Sequence, residues 1–315
     1  MENNGKIQKR RRGCCIMQKN NIALSYLFTS NVLRDFFYNH HSNRLVKIFA
    51  EFNMLDKIYQ NITLKDFFES SYKQLLKTYR NEYIFKNAIA QKILIGRHSI
   101  NSSSLFTELR VETSKADIVI FNGTSHVYEI KTELDNFERL ESQIENYKKV
   151  FEYVNVVSVE SKIDEIKSLI DESVGIIILT DKYTLRTIRK AKSGLNRLNK
   201  EAMFNLLRKN EYLQIIQKFY NSVPDLPNTK IYSACKELFI KLPIEIIHKE
   251  MLRTFKERKN HKNFISTINL FPNSLKIAVL ESDLSMEEQK DFSYLLNQKM
   301  NVIFNKKDYN VSSIS

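Results

Sequence analysis

The stretch of sequence that decides the fold runs from Ser114 to Lys131 and reads SKADIVIFNGTSHVYEIK. Two runs rich in β-branched and aromatic residues flank an Asn-Gly pair, a pattern that predicts two strands joined by a short connection. Side chains alternate faces along a strand, so Glu129 and Lys131 project on the same side. Both runs are otherwise apolar, which indicates central, buried strands. A carboxylate and an ammonium there are costly unless they meet each other, a metal or a substrate.

The length of the connection decides whether Asp117, on the first strand, faces Glu129. A two-residue turn at the Asn-Gly pair sets Asp117 opposite Tyr128, so that it points away from Glu129. A three-residue connection over residues 122–124, or a type I turn with a glycine bulge, sets Asp117 opposite or diagonal to Glu129. We predict the odd-length connection. A plain two-residue turn would refute the site described below.

Outside this hairpin the hydrophobic pattern alternates between helical and extended periods. Spacings of three and four predict helices from about residue 21 to residue 95 and again from about Leu185 onward. A capping box formed by Asp135 and Glu138 predicts the start of a helix after the hairpin. These helices alternate with strands, which predicts an α/β core with helices available for both faces of the sheet. The predicted strands are Leu105 to Glu112, Ala116 to Phe121, Val127 to Lys131, Tyr153 to Val159 and Gly175 to Thr180.

Changes in charge and in hydrophobic periodicity along the sequence divide the chain into four predicted parts. Residues 1–20 form a basic flexible tail that is either a nucleic-acid arm or a solvated terminus. Residues 21–79 are an N-terminal helical region, residues 80–184 are the α/β core, and residues 185–315 are a C-terminal helical region. The last region contains a basic run from Lys249 to Lys262, which is either a phosphate-tracking surface or a solvated helix face.

Composition narrows the class of protein and the class of partner. The chain has 315 residues, 43% of them hydrophobic, and 49 Lys and Arg against 36 Asp and Glu, for a net charge of +13. That surplus favours an anionic partner, either nucleic acid or an acidic membrane surface. The 3 cysteines match neither a disulfide framework nor a zinc site, which favours a reducing cytoplasm. No apolar run approaches the roughly 18 to 20 residues that a bilayer requires, so we expect a cytoplasmic protein without a membrane partner.

The acidic and basic residues of the hairpin form a set of the kind that catalyses hydrolysis. Two carboxylates that converge beside a lysine can hold a hard cation such as Mg²⁺, which stabilises charge on a phosphate during hydrolysis. The lysine can then orient the attacking water or neutralise the phosphate. The alternative is a buried ion pair between Glu129 and Lys131, or a solvated pair on an edge strand. The pattern alone does not decide between these interpretations, because an acidic residue two positions before a lysine is common by chance.

The arrangement of Asp117, a short hairpin and Glu129-Ile130-Lys131 resembles the PD-(D/E)xK nuclease superfamily. Gln143 and Tyr147 follow at i and i+4 on the next helix, similar to the QxxxY motif of its RecB-like branch. The stretch is also similar to a largely uncharacterised bacterial family in that superfamily. The resemblance covers about residues 81–180 and departs from the motif where Ala116 replaces proline. It implies a restriction-endonuclease-like mixed sheet flanked by helices, with additional all-α regions at both ends of the chain.

The resemblance also implies roles for individual residues. Asp117 and Glu129 would be metal ligands for Mg²⁺, for which Mn²⁺ can substitute, and Lys131 would be the catalytic lysine. Gln143 and Tyr147 would assist the reaction and contact nucleic acid. Two further sets complete the prediction: an additional acidic ligand, Glu82 or Glu108, and basic contacts to nucleic acid, Lys115 and Lys148.

The sequence therefore predicts a Mg²⁺-dependent nuclease that hydrolyses phosphodiester bonds, with DNA as the favoured substrate. The alternative is a catalytically silent module with the same fold that binds nucleic acid or a protein partner. The sequence is compatible with a homodimer as well as with a monomer. If the nuclease hypothesis holds, Lys115, Lys148, Lys149 and the run from Lys249 to Lys262 should border one cleft around the three central residues.

Overall fold

The computed structural model describes residues 18–95, 103–258, 266–282 and 284–304, which form two compact units. One unit lies within Met1–Asn87 and Asn263–Ser315, and the other is Ala88–Lys262. This division differs from the predicted boundaries, because the C-terminal region does not stay together. Its first part packs with the α/β core, and its last part packs with the N-terminal helices.

Helices numbered in chain order build the first unit. Side-chain caps fix three of their starts: the Ser42 hydroxyl accepts from Leu45 N at 3.2 Å, the Thr63 hydroxyl from Asp66 N at 3.1 Å, and the Ser285 hydroxyl from Glu288 N at 3.2 Å. The helix that begins at Glu82 runs past Asn87, and the π-helical stretch that follows it, Ala90–Ile95, belongs to the second unit. The helices are α1 (18–26), α2 (Ser30–Asn39), α3 (Asn43–Glu51), α4 (Leu55–Ile58), α5 (Leu64–Thr78), α6 (Glu82–Ile89), α13 (Lys276–Glu281), α14 (Met286–Leu296) and α15 (Met300–Ile303).

A six-stranded mixed sheet forms the centre of the second unit, and its strands lie side by side in chain order. The first three strands are antiparallel, the third, fourth and fifth are parallel, and the sixth is antiparallel to the fifth. This architecture confirms the predicted mixed α/β core with helical regions at both ends of the chain. The strands are β1 (Ser104–Val111), β2 (Ser114–Phe121), β3 (Ser125–Ile130), β4 (Tyr153–Ser158), β5 (Gly175–Leu179) and β6 (Leu185–Arg189).

Strand β6 corrects the prediction that helical structure resumes at Leu185. Thr180 and Thr184 close a turn, in which Thr180 N donates to Thr184 O at 2.9 Å, and the chain then returns along β5. The β-branched residues Thr187 and Ile188 suit this extended conformation. Five residues are too few for hydrophobic periodicity to separate a strand from a helix, which explains the error.

The helices of the second unit pack on the sheet and on one another. One of them, α12 (Ile244–Arg258), carries the ring of Phe255 against Phe121 of β2, with centroids 4.5 Å apart and an interplanar angle of 26°. Within the described residues, no helix has the length and apolar character needed to cross a membrane. The helices are α7 (Leu140–Lys148), α8 (Ile163–Leu169), α9 (Lys200–Asn205), α10 (Lys209–Tyr220), α11 (Asn228–Lys241) and α12 (Ile244–Arg258).

Candidate active site

The hairpin between β2 and β3 has the predicted odd-length connection. Phe121 pairs with Ser125, which leaves residues 122–124 as the connection. Asn122 N donates to Thr124 O at 2.9 Å, and Gly123 has a φ of 67°, a left-handed conformation that favours glycine. Because Ile118 pairs with Tyr128, the same register sets Asp117 opposite Glu129. The two carboxylates therefore lie on neighbouring strands at matching positions.

Backbone pairing between β2 and β3 stops at Ile118, one residue before Asp117. The carboxylate of Asp117 instead accepts a hydrogen bond from the backbone N–H of Ile130, with 2.6 Å between Oδ2 and N. A side chain thus replaces a backbone acceptor of the ladder and satisfies an otherwise unpaired donor. This contact holds Asp117 against the segment that carries Glu129 and Lys131.

Four side chains form a closed hydrogen-bond network around Glu129. Lys131 Nζ lies 2.9 Å from Glu129 Oε1 and 3.0 Å from Gln143 Oε1. The hydroxyl of Tyr147 lies 2.8 Å from Glu129 Oε2 and 3.0 Å from the carbonyl oxygen of Lys115, so it offers its single proton to two acceptors. Because Gln143 and Tyr147 are four residues apart on α7, both reach β3 from one helix face.

Burial sets the electrostatics of this network. Glu129 is 1% exposed, and loss of water raises the pKa of its carboxyl, while the Lys131 ammonium and hydrogen bonds from neighbouring side chains oppose that rise. Burial and the nearby Glu129 charge raise the pKa of Tyr147 far above its ordinary value. Tyr147 therefore stays protonated and acts as a hydrogen-bond donor to the carboxylate.

Contacts from the sheet also fix the backbone of Lys131. Its N–H donates to Val157 O at 2.9 Å, and its carbonyl accepts from the Ser158 hydroxyl at 2.6 Å. Ser158 lies fully buried on β4. The sequence analysis missed this residue, because a serine at the end of an apolar strand carries no recognisable motif.

The predicted capping box at Asp135 and Glu138 is wrong. Helix α7 begins at Leu140, and its N-cap residue, Arg139, makes no side-chain capping hydrogen bond. Asp135 faces back along the chain instead, and its Oδ2 accepts from both Thr132 N and Thr132 Oγ1 at 2.7 Å. Competition from the Thr132 donors explains the error, since an aspartate can close a local turn as readily as it caps a helix.

The two candidates for an additional acidic ligand have other partners. Glu108 pairs with Lys115 at 2.5 Å, and both side chains are about half exposed. The register places Glu108 opposite Asp117, because the flanking residues of β1 pair with Ile118 and Ala116. Glu82 belongs to the first unit, where it pairs with Lys86 at 2.7 Å.

Several of the basic residues that were predicted to contact phosphate form ion pairs within the protein. Lys148 bonds Glu145 at 2.5 Å and also Asp171, and its side chain is only 14% exposed. In α12, Arg253 pairs with Glu250 and Glu257, and Arg258 pairs with Glu211. The apolar face of α12 is buried, so this helix contributes to the core. Lys259 and Lys262, in the same basic run, lie outside the described residues.

The donor set fits a magnesium ion. Asp117 and Glu129 supply hard carboxylate oxygens at matching positions, and Mg²⁺ is typically held by one or two carboxylates together with water and phosphate oxygens. A carboxylate has about four lone-pair sites, so Glu129 keeps acceptor capacity beyond its hydrogen bonds with Lys131, Tyr147 and Gln143. Within the described part of the chain, no group of three or more His, Cys, Asp or Glu side chains is placed to hold a metal.

Comparison with known proteins identifies the family. Residues 75–279 match the family model described as Bacteriophage P4 protein cII. Protein cII of Enterobacteria phage P4 is 23% identical over 164 residues, a match that spans 50% of this chain and 61% of that protein. The SPO1766 protein of unknown function from Silicibacter pomeroyi is a solved structure that aligns with 45% of this chain and 93% of its own, at 14% identity and a TM-score of 0.30. Because the family match extends over more than half of the sequence and includes the whole candidate site, the chain belongs to the family of bacteriophage P4 protein cII.

Proposed function

We propose that this protein is a metal-dependent nuclease that hydrolyses phosphodiester bonds in DNA. The observation that carries the proposal is the convergence of Asp117, Glu129 and Lys131 with Gln143 and Tyr147 around one buried carboxylate. A purely structural ion pair between Glu129 and Lys131 would require neither Asp117 on the neighbouring strand nor the two side chains of α7. The net charge of +13 supports an anionic substrate.

Asp117 and Glu129 would hold Mg²⁺, and Mn²⁺ would substitute for it because it accepts the same oxygen ligands. When bound, the cation supplies positive charge that stabilises the negative charge developing on the phosphate. Glu129 would share its oxygens between this cation and the Lys131 ammonium.

Lys131 is the residue best placed to act on the substrate. An ammonium has three N–H donors, and Glu129 and Gln143 accept two of them. The remaining donor can orient the attacking water or bind a phosphate oxygen. Hydrolysis then forms a bond between the water oxygen and phosphorus and breaks one phosphorus–oxygen bond of the backbone. Gln143 holds Lys131 in position, and Tyr147 holds Glu129 in its charged form.

Cleavage of single-stranded DNA, duplex DNA and RNA with Mg²⁺, Mn²⁺ or EDTA tests the proposal. The variants are Asp117→Asn, Glu129→Gln and Lys131→Met, and the matched control is Asp164→Asn, which alters a fully exposed carboxylate on α8. We expect DNA cleavage with either metal and none with EDTA. Each site variant should lose about 100-fold or more in rate, since each removes a group that acts on the transition state. The control should match the wild type.

A catalytically silent binding module is the second candidate. The observation in its favour is that, within the described residues, no group of three or more His, Cys, Asp or Glu side chains is placed to hold a metal. This alternative predicts retention of nucleic acid without cleavage under any metal condition. It also predicts that Lys131→Met changes affinity alone. Cleavage that is absent, or equal in wild type and all site variants, would reject the nuclease.

A further inference from the structure

The lysine of the candidate active site lies just beyond the regular part of the sheet. Backbone pairing between β2 and β3 ends at Ile118 and Tyr128, three residues before Lys131. Strand β3 itself ends at Ile130, so Lys131 is the first residue after the strand. The position of Lys131 therefore depends on contacts other than the ladder between β2 and β3.

Three hydrogen bonds hold the backbone on both sides of the Lys131 Cα. Ile130 N donates to Asp117 Oδ2 at 2.6 Å, and Lys131 N donates to Val157 O at 2.9 Å. The Ser158 hydroxyl donates to the carbonyl oxygen of Lys131, also at 2.6 Å. The first two bonds hold N–H groups, whereas the bond from Ser158 fixes the peptide plane that follows the lysine.

Burial makes the contribution of Ser158 difficult to replace. Ser158 is fully buried, and the neighbouring Thr132 and Lys131 are 3% and 9% exposed. Water has little access at this depth, so loss of the hydroxyl leaves the Lys131 carbonyl without a donor. The peptide plane would then rotate towards another donor, and the Cα–Cβ direction of Lys131 would change with it.

The direction of the Lys131 side chain matters because its ammonium is the group proposed to act on the substrate. Its Nζ lies 2.9 Å from Glu129 Oε1 and 3.0 Å from Gln143 Oε1. A lysine side chain has a flexible four-carbon stem, so these two acceptors define the direction of its third donor only while the backbone stays in place. Displacement of a catalytic group by about 1 Å can cost on the order of 100-fold in rate.

We propose that Ser158 is a positioning residue for hydrolysis: its hydroxyl fixes the backbone of Lys131 from β4 and thereby directs the ammonium towards the attacking water or the phosphate oxygen. The inference rests on the proposed nuclease function and extends its machinery to a residue on a further strand. Ser158 acts through Lys131 and not on the reacting atoms. A hydroxyl that only stabilised the fold would affect stability and leave the chemical step unchanged.

Steady-state cleavage of DNA by the full chain with Mg²⁺ tests the role of Ser158. Ser158→Ala should lower kcat about tenfold and leave KM within about twofold, because the misplaced ammonium affects the transition state more than substrate binding. Ser158→Thr retains the hydroxyl and should recover most of the lost kcat.

The matched control is Ser125→Ala, which changes another fully buried serine. Ser125 lies at the opposite end of β3, six residues and about 20 Å from Lys131. Its hydroxyl forms hydrogen bonds with Glu152 N and His248 Nε2. Ser125→Ala should therefore lower the urea midpoint at least as much as Ser158→Ala does, while kcat stays at the wild-type value.

Two further measurements test whether Ser158 acts through Lys131. In a Lys131→Met background, Ser158→Ala should cause no additional loss of kcat, because the group that it positions is absent. Reductive methylation of the Lys131 amine, followed by mass spectrometry, reports on the same contact without any need for cleavage. Methylation should be severalfold faster in Ser158→Ala than in wild type, and unchanged in Ser125→Ala.

The outcomes separate this inference from the proposed function. If wild type does not cleave nucleic acid, the nuclease is overturned and the positioning role falls with it. If wild type cleaves but Ser158→Ala retains its kcat, or loses no more than Ser125→Ala, the positioning role is rejected and the nuclease stands. A tenfold loss that persists in the Lys131→Met background, or an unchanged methylation rate at Lys131, also rejects it.

Discussion

Tyr147 donates a hydrogen bond that favours the charged form of Glu129. Tyr147→Phe removes this donor, so the pKa of Glu129 should rise further, and the acidic limb of the cleavage rate should move to higher pH. The variant should also lose about 1 to 2 kcal/mol of unfolding free energy, because the buried Glu129 oxygen and the part-buried carbonyl of Lys115 lose a donor. A pH–rate profile and urea unfolding measure both effects.

The matched control for Tyr147→Phe is Tyr232→Phe. The Tyr232 hydroxyl bonds Asn205 Oδ1 at 2.8 Å on an exposed surface. Its removal should change neither the pH profile nor the stability appreciably. A Tyr147→Phe profile that coincides with that of the wild type would contradict the role of this hydroxyl in keeping Glu129 ionised.

Lys131 compensates a buried negative charge, which makes the stability of its variant depend on pH. Lys131→Met leaves Glu129 buried without its cation, and the pKa of Glu129 rises further above its unfolded value. A raised carboxyl pKa contributes stability at low pH that is lost as pH rises through the folded pKa. The variant should therefore be destabilised by about 3 kcal/mol at pH 8 and by less at pH 5.

Urea unfolding of Lys131→Met at the two pH values measures this difference. The double variant Lys131→Met with Glu129→Gln is the control, because it removes the titrating carboxyl. Its loss of stability should be the same at both pH values. If the single variant loses equal stability at pH 5 and pH 8, Glu129 is not a charge that depends on Lys131.

The sequence allowed five residues of the candidate site to be predicted, because each of them lies in a motif with fixed spacing. The facing positions of Asp117, Glu129 and Lys131 follow from strand alternation and the hairpin length, whereas Gln143 and Tyr147 are indicated by the resemblance to the QxxxY motif. Ser158 and Thr132 could not be predicted in this way. Their contacts depend on the pairing of β3 with β4 and on a local turn, and neither leaves a periodic pattern in the sequence.

At the scale of elements, a buried histidine joins α12 to the start of β3. Ser125 Oγ accepts from Glu152 N at 2.9 Å and shares a hydrogen bond with His248 Nε2, 3.0 Å away. Burial lowers the pKa of His248 below the ordinary 6.5, against the attraction of Glu152. A lowered histidine pKa gives stability above the unfolded pKa that is lost as pH falls through the folded pKa.

Unfolding of wild type and His248→Gln at pH 7.5 and pH 5.5 measures this contribution. The wild type should lose about 1 kcal/mol more than the variant between these values, because the unfolded chain gains a proton that the folded protein resists. His40→Gln, at an exposed position, is the control and should follow the wild type. A parallel loss in His248→Gln would show that another group drives the acid sensitivity.

At the scale of the whole molecule, the first unit combines stretches from both ends of the chain. Phe292 of α14 contacts Phe37 of α2, with ring centroids 4.7 Å apart and an interplanar angle of 84°. The segment before α15 pairs with the segment before α5, where Leu64 N donates to Gln298 O at 2.9 Å. Contacts across more than 200 residues leave no local pattern, so the sequence predicted the helices without their partners.

This arrangement predicts that the two stretches lose their structure together. Phe292→Ala should cost about 3 to 5 kcal/mol, because it opens a cavity at a fully buried ring. Amide hydrogen exchange should then accelerate in α2 and α5 as well as in α14, since these helices share one core. Tyr294→Ala, at a ring that is 71% exposed on the same helix, should leave exchange unchanged. Acceleration confined to α14 and α15 would mean that the N-terminal helices hold a core of their own.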